Sequence, residues 1–94
     1  MIDLQPTRFY LSQNYPNPFC GQTTIKYCVS QKCRVTVTIY GLDDTVIEKL
    51  VDEEKLPGTY KITWNAKDAR SGSYVYRMEA GNFVDQKEMA FLKQ

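Results

Sequence analysis

The chain has 94 residues, with 12 lysines and arginines against 11 aspartates and glutamates, for a formal charge of +1. A chain this short builds a single hydrophobic core, and its balance of 43% hydrophobic and 24% charged residues is that of a folded globular domain, too apolar for a disordered tract. The near-neutral charge supplies no net field for nucleic acid or anionic lipid, and no apolar run approaches the roughly 18–20 residues that span a bilayer.

Met1 to Pro6 lacks the basic and apolar segments of a signal peptide, so any export signal is expected to precede these residues in a longer chain. Residues suited to a pleated surface (Val, Ile, Thr, Tyr, Phe, Trp) number 32 of 94, against only four alanines and six leucines. Glycine and proline clusters then cut the chain into short runs at regular spacing.

Phe9 to Asn14 reads as a first, partly irregular strand, closed by Tyr15-Pro16-Asn17-Pro18, an extended loop or edge because proline lacks a donor. Thr23 to Val29 alternates, with Ile25, Tyr27 and Val29 on one face. Arg34 to Tyr40 follows, with Val35, Val37 and Ile39 inward. Gly41 to Thr45 reads as a turn, Val46 to Val51 as the fourth strand, and Asp52 to Pro57 as a charged loop.

Gly58 opens a fifth strand running to Trp64, with Tyr60, Ile62 and Trp64 inward. Asn65 to Gly72 is a polar connection. The sixth strand, Ser73 to Ala80, puts Tyr74, Tyr76 and Met78 on a shared face. Gly81-Asn82 makes a hairpin into a seventh strand, Phe83 to about Lys93. Seven alternating strands in one small domain predict an all-β, immunoglobulin-like sandwich of antiparallel strands. Its expected extent is residues 9–94, after a flanking linker over residues 1–8. Gly58-Thr59-Tyr60 and Gly72-Ser73-Tyr74 read as one corner device used twice, glycine turning the chain and tyrosine capping the core through its hydroxyl.

Catalytic chemistry has little to stand on. Histidine is absent, which removes the usual proton shuttle and the usual Ser/His and Cys/His pairs. Asp43-Asp44 and Asp52-Glu53-Glu54 fall in expected turns, as solvated carboxylates without calcium-loop spacing. Cys20, Cys28 and Cys33 lack zinc-site spacing. Strand parity and separate sheets argue against a Cys28–Cys33 disulfide, and place Cys33 in the core with Cys28 exposed or semi-exposed. Most tyrosines and Trp64 face inward, which leaves Tyr40 as the exposed aromatic that could stack on a sugar. The basic residues are dispersed among acids and form no nucleic-acid groove. No cofactor, metal or catalytic residue is expected.

The run Leu11-Ser12-Gln13-Asn14-Tyr15-Pro16-Asn17-Pro18-Phe19, with Thr23-Thr24-Ile25-Lys26-Tyr27 after it, closely resembles the opening motif of type A C-terminal sorting domains of the type IX (Por) secretion system. The resemblance continues through Pro57-Gly58-Thr59-Tyr60, Ile62-Thr63-Trp64-Asn65-Ala66-Lys67 and Ser71-Gly72-Ser73-Tyr74 to Met89-Ala90-Phe91-Leu92-Lys93. A looser similarity, through Pro-Asn-Pro-Phe, runs to the immunoglobulin-like domain of the flagellar hook-capping protein. Cys20, the Gly41 to Asp44 turn and Glu88 depart from the sorting-domain pattern.

The resemblance implies a non-catalytic module at the end of a larger N-terminal cargo that reaches the cell surface or medium through the periplasm. The implied partners are the outer-membrane type IX translocon and a sortase-like peptidase that removes the domain in many members, with no nucleic acid and no direct membrane insertion. The implied sorting-motif positions are Asn14, Tyr15, Pro16, Asn17, Pro18, Phe19, Gly58, Tyr60, Gly72, Tyr74, Gly81, Lys87 and Lys93. A different class of function, an immunoglobulin-like spacer or a carbohydrate- or protein-binding accessory domain of an extracellular enzyme, is the alternative.

Overall fold

The computed structural model describes residues 7–66 and 68–93. Seven strands run β1 (Tyr10–Leu11), β2 (Gln22–Val29), β3 (Cys33–Gly41), β4 (Val46–Lys55), β5 (Gly58–Asn65), β6 (Gly72–Ala80) and β7 (Phe83–Phe91). They form two antiparallel sheets, β1-β2-β5 and β4-β3-β6-β7, so the expected all-β sandwich is present. Relative to the common division of an immunoglobulin sandwich, β4 sits beside β3 rather than beside β5.

The alternation visible in the sequence supplies the core. Ile25, Tyr27 and Val29 from one sheet meet Val35, Val37, Ile39, Tyr76 and Met78 from the other, all 2% exposed or less. Burial of side chains this large is the main stabilising contribution in a domain of this size. Ala80 pairs with Phe83 across the Gly81-Asn82 turn, and Gly81 has φ +59. Positive φ at the first central residue alone is the type II′ hairpin that glycine favours.

The boundaries correct three expectations. The first strand keeps only Tyr10 and Leu11 of the expected Phe9–Asn14, because the chain then leaves the ladder to form the proline loop. The seventh ends at Phe91, short of Lys93. Asp52–Lys55, read as a loop, continues β4: Thr36, Val35, Arg34 and Cys33 pair with Asp52, Glu53, Glu54 and Lys55. Cross-strand neutralisation accounts for an acidic run in a strand. Arg34 of β3 binds Asp52 at 2.7 Å and Lys32, just before β3, reaches Glu54 at 3.5 Å, while within β4 itself Lys55 reaches Glu53 at 2.6 Å.

The two Gly-x-Tyr corners share their tyrosine device but not their glycine. Tyr60 donates its hydroxyl to the Leu56 carbonyl at 2.6 Å, and Tyr74 donates to the Arg70 carbonyl at 2.5 Å. Each bond spans four residues back, as in the tyrosine corner of immunoglobulin sandwiches. Gly72 has φ +147, which side chains of L residues rarely adopt, whereas Gly58 is not in the left-handed region. The atoms nearest a methyl group on Gly58 would belong to the Tyr60 side chain, at an ordinary 3.6 Å. Gly72→Ala is therefore expected to cost about 1–3 kcal/mol through backbone strain, and Gly58→Ala no more than about 0.5 kcal/mol. Urea denaturation of the two variants checks this; equal losses would show that the backbone conformation at Gly72 is not what demands glycine.

Tyr76 is fully buried and its hydroxyl donates to the Ser12 carbonyl at 2.6 Å. Burial pushes its pKa up to about 12, and burial also raises that of Tyr27. Both groups fold in their neutral form, while tyrosine in the unfolded chain ionises near 10. Their contribution is thus complete below about pH 10, and that of Tyr76 is lost as pH rises toward 12. The denaturation midpoint is expected to fall across that window, with a shallower fall in Tyr76→Phe. An unchanged slope in the variant would remove Tyr76 from this account.

Candidate functional site, a loop clasped to the last strand

The residues from Gln13 to Phe19 leave β1 and cross from one sheet to the other. Asn14 organises the loop from inside. It is 2% exposed, and its Nδ2 donates to the Pro16 carbonyl at 3.1 Å and to Thr23 Oγ1 at 3.0 Å. Its Oδ1 accepts from Gln13 Nε2 at 2.8 Å, and Thr23 Oγ1 donates to the same Pro16 carbonyl at 2.8 Å. No polar side-chain atom buried among the described residues lacks a partner. The Tyr15-Pro16 and Asn17-Pro18 peptide bonds are both cis.

The loop holds both sheets. On the β2 side, Tyr15 and Thr24 exchange two backbone hydrogen bonds of 2.9 Å. On the β7 side, the loop satisfies the edge that β7 turns away from β6. Gln13 Nε2 donates to the Glu88 carbonyl at 2.8 Å, and the Ala90 amide donates to Asn17 Oδ1 at 2.9 Å. The Phe19 amide donates to the Ala90 carbonyl at 3.0 Å, and the Leu92 amide donates to the Phe19 carbonyl at 2.8 Å. Phe19 thereby makes a parallel bridge to Phe91. An unpaired strand edge invites pairing with other chains; here the edge from Glu88 to Leu92 is taken by the proline loop.

Phe19 anchors the clasp in the core at 3% exposure. Its ring lies 5.2 Å from that of Phe91 and 5.9 Å, edge-on, from that of Trp64. Trp64 continues the stack to Tyr74 at 5.5 Å and donates from Nε1 to Glu48 Oε1 at 3.2 Å, which bridges the two sheets. Asn14, Tyr15, Asn17, Phe19 and Tyr74 of the expected motif thus converge with Trp64 and β7 at one end and side of the sandwich. Pro16 and Pro18 are exposed between them.

Of the remaining motif positions, Gly72 pairs with Phe91 and Lys93 follows Leu92 at the clasp, and the others are spread along the sandwich. Gly58 and Tyr60 form the first corner, where the Tyr60 ring stacks on Tyr27 at 5.3 Å beneath Lys55. Gly81 turns the β6–β7 hairpin. Lys87 stands opposite the buried Tyr76 on the inward row of β7, 3.9 Å from Asp85. Its half-buried position is that of an inward charge guarding an edge strand. Lys93 follows β7, exposed, with its amide donating to Ser71 Oγ at 2.7 Å. The two lysines form no common patch.

Other expectations need correction. Cys33 is only partly buried against the core, because it opens β3 at the rim of the sandwich. All three cysteines are free thiols, and Cys28 and Cys33 lie in different sheets as anticipated. Tyr40 is half-buried rather than an exposed platform, since the Arg77 guanidinium lies over its ring at 5.2 Å. The exposed aromatics among the described residues are Tyr15, at 80%, and Tyr10, at 53%.

Sequence reasoning missed Gln13 and Thr23 as parts of the loop framework. Thr23 had a readable signal, since it shares the inward parity of Ile25 and Tyr27 and a buried hydroxyl requires a partner. Gln13 had none, because its partner on β7 is 75 positions away.

The structure is an antiparallel β-sandwich whose opening loop is built onto the edge of β7, and among the described residues it assembles no group of His, Cys, Asp or Glu side chains that could hold a metal. A family model for the secretion system C-terminal sorting domain matches residues 13–90, and the chain belongs to that family, the C-terminal sorting signals of type IX secretion. Neither curated proteins nor solved structures gave a match.

Proposed function

We propose that residues 9–94 act as a composite sorting signal, in which the Asn14–Phe19 loop and the terminal strand are read together as one surface. The domain would direct an N-terminal cargo from the periplasm across the outer membrane through the type IX translocon, for surface display or release after removal by a sortase-like peptidase. The observation that carries this reading is the clasp, because its bonds to Glu88, Ala90 and Leu92 join the motif to the end of the domain. A translocon that contacts this side of the sandwich meets the loop and strand in one fixed arrangement only when the domain is folded.

On this reading Asn14, Phe19, Gly58, Tyr60, Gly72, Tyr74 and Gly81 shape the signal, whereas Tyr15, Pro16, Asn17, Pro18 and Lys93 present it. Lys87 keeps the edge of β7 from pairing with other strands.

The test is a transplant of residues 1–94 onto a fluorescent reporter bearing a signal peptide, in a Bacteroidetes host with and without a working translocon. Translocon-dependent display or release is expected. Asn17→Ala, which deletes one exposed hydrogen bond to β7 at about 1 kcal/mol, is expected to leave the domain folded and to reduce export severalfold. Reporter retained in the periplasm of both strains would sink the sorting role in that host and favour the spacer. Undiminished export of Asn17→Ala would separate the loop–strand junction from recognition.

A further inference from the structure

The geometry points to a binding site for an acidic saccharide on the outer face of the β1-β2-β5 sheet, walled by Tyr15 and floored by Thr24, Lys26, Lys61 and Thr63. These residues line a depression of about 550 Å³, within the range of small-ligand sites. Ser12 and Gln13 complete its lining, and Gln13 also donates to the Glu88 carbonyl, so the depression borders the contacts between loop and β7; the site does not depend on the sorting reading.

Three observations converge here. Lys26 and Lys61 are direct cross-strand partners, an arrangement that costs stability when nothing neutralises it. The outward positions of β2 and β5 hold no acidic residue: they are Gln22, Thr24 and Cys28 beside Lys26, and Thr59, Thr63 and Asn65 beside Lys61. Among the described residues neither lysine takes part in an ion pair, whereas Lys32, Arg34, Lys49, Lys55, Arg77 and Lys87 all do. The charge of this face is therefore left for a ligand.

The second observation is Tyr15. Its backbone is fixed by the paired bonds to Thr24, yet its ring stays 80% exposed. A held aromatic ring beside a polar floor offers an apolar surface and a hydroxyl together. The third is the floor itself, where the Thr24 and Thr63 hydroxyls lie 3.4 Å apart in the row beside the lysine pair, with Thr24 the backbone partner of Tyr15.

A pyranose ring bearing a carboxylate matches all three. Its CH face covers Tyr15, its hydroxyls meet the threonines, and its carboxylate lies between the two ammonium groups. An acidic peptide or a free phosphate would use the lysines but leave the ring and the threonines without a partner.

Amide spectra of the labelled chain, titrated with a galacturonic acid tetramer, test the assignment. Saturable shifts confined to Thr24, Lys26, Lys61, Thr63 and the Tyr15 loop are expected. Tyr15→Ala and the double variant Lys26→Gln/Lys61→Gln are each expected to weaken binding about tenfold or more, with spectra elsewhere unchanged. A neutral galactose tetramer should bind at least about tenfold more weakly than the acidic one. Absence of saturable shifts at these residues, unaltered affinity in either variant, or equal affinity for hexaglutamate or inorganic phosphate would each overturn the proposal.

Discussion

Replacing Phe19 with alanine is expected to lower the stability of the domain by about 3–5 kcal/mol, the largest loss foreseen for a single side chain of the sorting motif. The ring is 3% exposed and packs on Phe91 and Trp64, so its removal leaves a cavity where loop, terminal strand and core meet. For a domain of this size, with roughly 5–14 kcal/mol in total, the melting temperature should fall by roughly 15 °C or more. Phe19→Leu keeps most of the volume and should cost about 1–2 kcal/mol. Calorimetry of the two variants decides the matter, and a loss below about 1 kcal/mol in the alanine variant would mean that the clasp holds without its anchor. Export of a reporter carrying Phe19→Ala must be read beside the folded fraction, since an unfolded domain presents no assembled surface.

The second large effect is expected from Asn14→Asp, which preserves shape and reverses one hydrogen-bonding role. Asn14 Nδ2 donates to the Pro16 carbonyl and to Thr23 Oγ1, and Thr23 already donates to that same carbonyl. An ionised aspartate cannot donate, so a buried carboxylate would face a carbonyl oxygen. Thr23 could turn to serve the carboxylate only by abandoning Pro16. Desolvation and the facing carbonyl raise the pKa of the new carboxyl in the folded state. The cost is then absent below about pH 4, where folded and unfolded forms are both protonated. It grows as pH rises through the folded-state pKa, to about 3 kcal/mol near neutrality. Denaturation of both proteins at pH 3.5 and pH 7 checks this; a loss equal at the two values would place its origin in packing rather than charge.

Each of these variants separates a part of the motif from the whole. Phe19 holds the loop through apolar area, Asn14 through directional bonds inside it, and Asn17 through one bond to the Ala90 amide. Their stability losses should differ severalfold, while all three disturb the same junction. Export that follows the junction, and not the rank order of stability, is what the composite signal requires.

Much of this arrangement was legible in the chain. Val35, Val37 and Ile39 against Arg34 and Thr36 gave the inner and outer faces of β3, because a pleated strand alternates its side chains whatever its partners. Gly81-Asn82 and the two tyrosine corners were readable for the same reason, since turn geometry and a hydroxyl bond four residues back are decided locally. The Asn14–Phe19 run could be picked out by its resemblance to a family, although nothing in it announced where it docks.

What failed to show was non-local. Asp52–Lys55 looked like a solvated loop because charge alone was visible, and only the pairing with Cys33–Thr36 brings Arg34 opposite to make it a strand. Tyr40 is out of phase with the core, yet Arg77, 37 positions away on β6, covers it. The sequence by itself therefore determined the strands, their buried faces and the membership of the family, all of which rest on local periodicity and short motifs. Tertiary structure alone decided that the loop after β1 closes the edge of β7, and that Tyr15 shares one depression with two lysines that form no ion pair among the described residues. Backbone edges and cross-strand neighbours come into being only when distant segments pair, and no local pattern records which ones will.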